Sequence, residues 1–129
     1  MMDPPKTKPH VLIVDDDDMV RETLVDIVSN LGVTVTQARN GVECLNLALS
    51  HKFDVIIMDI IMPEKEGLET IAALRARAVP AKIIAISGGG RTKNQDLLLW
   101  ARRLGADLTV QKPIDPEVLV ESIRQLGVV

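Results

Sequence analysis

Five times along this chain a short apolar run ends in a polar cluster and hands over to a segment of helical periodicity. Alternation of this kind predicts an α/β fold with a parallel sheet, because each helix carries the chain back to the end at which the next strand must begin. The apolar runs occupy 10–14, 33–37, 54–58, 82–86 and 108–111. Helical segments fill the intervals at 18–31, 41–50, 66–77 and 93–104, and a fifth opens at Asp115-Pro116. Spacings of three and four residues give the inward stripes. They are Val20, Leu24, Ile27, Val28 and Leu31 in the first helix and Leu45, Ala48 and Leu49 in the second. Leu68, Ile71 and Ala72 serve the third helix, Leu97, Ala101 and Leu104 the fourth, and Leu119, Ile123 and Leu126 the fifth. Gly32 and Gly105 stand where helices one and four should stop. Asp115 is a capping residue before proline at the first helical position.

Composition separates the centre of the sheet from its edges. Strands one, three and four are nearly unbroken aliphatic runs, as strands covered on both faces are. Strand two (Val33-Thr34-Val35-Thr36) and strand five (Leu108-Thr109-Val110-Gln111) alternate, as half-exposed edges do. With right-handed crossovers this selects the order 2-1-3-4-5, doubly wound by five helices. The order reverses between strands one and three, and the crevice at such a point is where these sheets bind ligands.

Charged groups gather at that crevice. Val14 runs into Asp15, Asp16, Asp17 and Asp18, Met58 into Asp59, and Gln111 into Lys112-Pro113. Carboxylates within about 4–5 Å repel one another by roughly a few kcal/mol each. A hard divalent cation removes that cost, and Mg²⁺ (or Mn²⁺) keeps coordination positions open for phosphate oxygens. The crevice therefore reads as a cation site open to a phosphoryl group, formed by Asp15, Asp16 and Asp59. Asp17 and Asp18 are expected to face solvent. Lys112 suits a phosphate or Asp59 as a point charge, and Ser87, ending strand four, offers a hydroxyl. Gly88-Gly89-Gly90 leaves the approach open.

These residues carry a resemblance. The chain resembles the receiver domain of bacterial two-component response regulators, of the single-domain, chemotaxis-regulator type with a flavodoxin-like fold. The matching residues are Val14-Asp15-Asp16 with Arg21 downstream, Asp59-Ile60-Ile61-Met62-Pro63 followed by Gly67, then Ser87, Gly105-Ala106-Asp107 and Lys112-Pro113. The resemblance implies that Asp59 accepts a phosphoryl group from a histidine kinase or a histidine phosphotransfer protein. It implies that Asp15, Asp16, Asp59 and the backbone carbonyl of Ile61 hold Mg²⁺. Ser87 and Lys112 would bind the phosphoryl group, with a Lys112–Pro113 peptide that is often cis in the family. Thr109 stands where the family usually has a Tyr or Phe that swings inward, so the aromatic half of that switch is absent. The resemblance covers about residues 9–127, so 10–129 is expected to be the receiver domain; residues 1–9, with three prolines and no apolar core, read as a flexible tail.

Size and charge narrow the remaining classes. A chain of 129 residues is long enough to bury one core. Its net charge of −3 gives no bulk attraction to nucleic acid or to a membrane surface. An aromatic content of 2% rules out a base-stacking platform. Cys44 stands alone, which fits a reducing, cytoplasmic setting and a small apolar filler. His10 and His51 precede strands at the opposite end of the sheet from the crevice. Four large apolar residues in succession, Leu97 to Trp100, cannot all face inward, so Leu99 or Trp100 is expected at the surface as a candidate contact for an unidentified downstream protein. A phosphorylation-independent adaptor of the same shape is the alternative, favoured by Thr109 alone. A phosphohydrolase would need a second acid near the nucleophile, and Ile61 stands two residues after Asp59.

Overall fold

The computed structural model describes residues 8–60, 66–88 and 92–129. The tail at 1–7, Ile61-Met62-Pro63 and the glycines at 89 and 90 lie outside them. Among the described residues ten elements alternate as β1 (His10–Val14), α1 (Asp18–Ser29), β2 (Thr34–Ala38), α2 (Gly41–Ser50), β3 (Val55–Asp59), α3 (Glu66–Ala76), β4 (Lys82–Ser87), α4 (Thr92–Leu104), β5 (Leu108–Gln111) and α5 (Pro116–Gln125). The strands form one parallel sheet in the order β2-β1-β3-β4-β5.

The two-residue period of the strands divides the core into two layers. Leu12 and Val14 of β1 join Cys44 and Ala48 of α2, Ile71 and Leu74 of α3, and Leu98 and Ala101 of α4. Val11 and Ile13 point the other way, into a cluster with Leu24 and Val28 of α1 and Leu119 and Ile123 of α5. Every residue of β3 is buried, whereas β2 and β5 are only partly covered, as their alternating composition required.

Local sequence sets the helix ends. Asp17 caps α1 by accepting hydrogen bonds from the amides of Met19 and Val20. Asn40 caps α2 through the Glu43 amide at 2.8 Å, and Asp115 caps α5 through the Glu117 amide at 2.9 Å. Two expectations are corrected. Helix one ends at Ser29, so Leu31 packs from beyond the helix, and the chain turns through Gly32 at φ +72. Leu49 does not face inward: it is 47% exposed, because α2 buries Gly41, Cys44 and Ala48, and one further residue rotates about 100° away from that stripe.

Register aligns the strand ends. Val14 pairs with Met58, Asp59 with Ile86, and Ser87 with Gln111. Asp15 is thus level with Asp59, and Lys112 begins one residue beyond the Ser87–Gln111 pair. The amide of Ile60 donates to Ile86 at 2.9 Å and that of Lys112 to Ser87 at 2.7 Å, extending the ladder into the loops.

Candidate functional site

Asp15, Asp16 and Asp59 converge above the point where the strand order reverses. One carboxylate oxygen from each lies within 4.8 Å of the others. Asp15 and Asp59 are buried and Asp16 is exposed, so the cluster has a dry floor and one wet side. Lys112 reaches over from the end of β5, and its Nζ donates to Asp59 Oδ2 at 2.8 Å. Ser87 is buried at the end of β4. The Lys112–Pro113 peptide is cis.

The electrostatics follow from crowding. Burial pushes the Asp15 carboxyl up to about 6; the Asp17 amide on Oδ1 opposes the rise, the Asp59 charge adds to it, and Lys112 offsets part. Burial works against the charge of Lys112, but the hydrogen bond and charge of Asp59, with Asp15 and Asp17, outweigh it and lift its pKa. Two buried oxygens, Asp15 Oδ2 and Ser87 Oγ, have no hydrogen-bond partner among the described residues. Such an atom costs free energy unless a ligand satisfies it. Three carboxylates with one unpartnered buried oxygen fit a hard, oxygen-seeking divalent cation, and the Ser87 hydroxyl fits an oxygen of an anion beside it.

The four consecutive aspartates do separate things. Asp17 is the cap of α1 and Asp18 forms an ion pair with Arg21, which holds its carboxyl below the ordinary range. Both are exposed, as expected, yet each has a partner that composition alone did not reveal. Arg21 is buried and also donates to the Asp15 carbonyl at 2.8 Å and to Gln37 Oε1 at 3.0 Å. A pairing signal was present, since an acid and an arginine three apart share a helix face.

Other candidates fall elsewhere. Thr109 pairs with Ala85 on the edge strand and is partly buried. Leu99 and Trp100 are 49% and 53% exposed on α4, with the Arg103 guanidinium 5.7 Å from the indole centroid. Ile61 is outside the described residues. His10 lies at the far end of β1 against Phe53 and Thr36. Burial pushes the Cys44 thiol up to about 12, leaving it inert. A concavity of about 640 Å³ between α1 and α5 collects charges only from exposed Glu117, Glu121 and Arg124 on one helix, so the chemistry is not there.

Residues 11–124 match the family model of the response regulator receiver domain. The chain belongs to that family. Among relatives, it is 35% identical over 119 residues to the chemotaxis protein CheY of Thermotoga maritima, covering 92% of this chain and 97% of CheY. It is 34% identical to the probable transcriptional regulator ycf29 of Porphyra purpurea over 91% of this chain, but spans only 56% of that protein. The structure of the chemotaxis response regulator CheY4 of Vibrio cholerae superposes with a TM-score of 0.81 at 28% identity, over 93% of this chain and 99% of that one. Receiver domains are signalling modules of two-component systems, not turnover enzymes. Among the described residues no helix is long and apolar enough to cross a membrane.

Proposed function

We propose that this receiver accepts a phosphoryl group on Asp59 from the phosphohistidine of a histidine kinase or a histidine phosphotransfer protein, with Mg²⁺ or Mn²⁺ bound, and passes on its state by protein contact. The observation that carries this reading is one convergence: three carboxylates, the Lys112 ammonium on Asp59, and unpartnered buried oxygens on Asp15 and Ser87. Asp15, Asp16 and Asp59 hold the cation, with the backbone carbonyl of Ile61 as a further ligand. When bound, the cation neutralises the carboxylates and the charge on the transferring phosphoryl oxygens.

The chain's own groups supply the remainder. A carboxylate oxygen of Asp59 bonds to phosphorus as the phosphorus–nitrogen bond of the donor imidazole breaks, the electron pair leaving with that nitrogen. Lys112 moves its ion pair from the carboxylate to the new phosphoryl group, and the Ser87 hydroxyl donates to one of its oxygens. No aromatic ring at Thr109 accompanies this change, so the readout falls on the loop after Ser87 and on α4, where Leu99 and Trp100 are presented to a protein partner. Residues 10–129 form the signalling unit.

Incubation with acetyl phosphate and Mg²⁺, followed by intact mass measurement, tests the reading. The wild type is expected to gain one phosphoryl group, and neither Asp59→Asn nor metal-chelated wild type should gain any. A wild type that stays unmodified while still binding its partner would instead make the chain an adaptor.

A further inference from the structure

We infer that Arg21 is a positioning residue that presets the aspartates of the β1–α1 loop for the cation. The inference rests on the metal-assisted reading above and concerns a group outside the carboxylate cluster. An arginine fork carries five N–H donors in fixed directions. Here its three nitrogens find acceptors on β2, in the β1–α1 loop and at the start of α1. Nε donates to Gln37 Oε1 of β2 at 3.0 Å, Nη1 to the Asp15 carbonyl at 2.8 Å, and Nη2 pairs with Asp18 at the start of α1. The side chain is only 8% exposed and its bond to the Asp15 carbonyl is buried, whereas Gln37 and Asp18 meet it from the solvent side.

The grip on the Asp15 carbonyl matters most. That carbonyl belongs to the peptide joining Asp15 to Asp16, so fixing it fixes the plane from which both carboxylates project. The peptide on the other side of Asp15 is held too, because its amide donates to the Ala38 carbonyl at 3.2 Å. Mutual repulsion among Asp15, Asp16 and Asp59 would open this loop in the absence of a cation, and the Arg21 fork resists that opening. Its ion pair is with Asp18, so Arg21 itself neutralises none of the trio, of which Asp59 is paired with Lys112. A lysine at this position keeps the charge but radiates its donors from one nitrogen, which does not match acceptors spread around a planar fork.

The consequence is measurable as metal affinity. Outer groups that orient metal ligands typically alter affinity by about 10–100-fold when replaced. Calorimetric titration with Mg²⁺ is therefore expected to show Arg21→Lys binding at least about tenfold more weakly than wild type. Its rate of phosphoryl uptake from acetyl phosphate should recover as Mg²⁺ is raised. Gln37→Met removes one exposed anchor and should weaken Mg²⁺ in the same direction by less; it decides the matter should Arg21→Lys fail to fold. Folded Arg21→Lys and Gln37→Met with wild-type affinity, or an unchanged affinity with a rate that Mg²⁺ does not restore, would overturn the positioning role alone. A wild type that binds no Mg²⁺ would overturn the metal-assisted reading, and this inference with it.

Discussion

Asp15 and Asp16 are neighbours of identical chemistry, and burial is the main thing that tells them apart. Asp15 is closed off from solvent, and its carboxyl is pushed up to about 6, while Asp16 sits at the exposed margin of the same cluster. A folded-state value above the ordinary carboxylate value of about 4 means that the native protein holds a proton the unfolded chain has released. In metal-free protein, stability contributed through Asp15 is therefore complete below about pH 4 and is lost as the pH rises through about 6. Urea denaturation in a chelator should show wild type losing stability relative to Asp15→Asn across that window; parallel pH profiles would refute the assignment. The sequence revealed the cluster because three strand ends carried its parts. It did not reveal the work of Asp17 and Asp18, since a cap and an ion pair depend on where the first turn of α1 begins. Nor did it show Arg21 as a buried cation, because the carbonyl it grips is invisible in a list of side chains.

The elements were legible to the extent that one physical signal dominated each. Aliphatic runs against alternating runs distinguished centre from edge, and that contrast fixed the strand order. Leu49 was misplaced because apolar spacing continues past the residues that α3 and the sheet can cover. The clamp at the opposite end of the sheet was not foreseen. There Arg75 of α3 donates to the carbonyls of Gly105, Val79 and Ala81 and pairs with Asp107, which in turn accepts from the Ile83 amide. Gly67 illustrates what a motif residue does mechanically. A Cβ there would strike the backbone of Ile60, so α3 approaches the residue after Asp59 as closely as only glycine permits. Gly67→Ala is expected to destabilise the fold by about 1–3 kcal/mol, as overpacking does. Urea midpoints would check this, and an unchanged midpoint would mean that α3 shifts without cost.

For the whole molecule, the arrangement is an opposition between a rigid base and a strained rim. Two apolar layers hold the five strands in register, and that register forces acids from β1 and β3 into one crevice with a lysine from β5. The fold supplies the convergence, and the cation relieves it. The thermal melt with and without millimolar Mg²⁺, in wild type and in Asp16→Asn, tests this most directly. A ligand that binds only the folded state raises the melting temperature, by an amount that grows with the logarithm of its concentration above the dissociation constant. Wild type is expected to melt several degrees higher with Mg²⁺ than without, and Asp16→Asn to melt at the same temperature in both. A wild-type melt indifferent to Mg²⁺ would contradict the account.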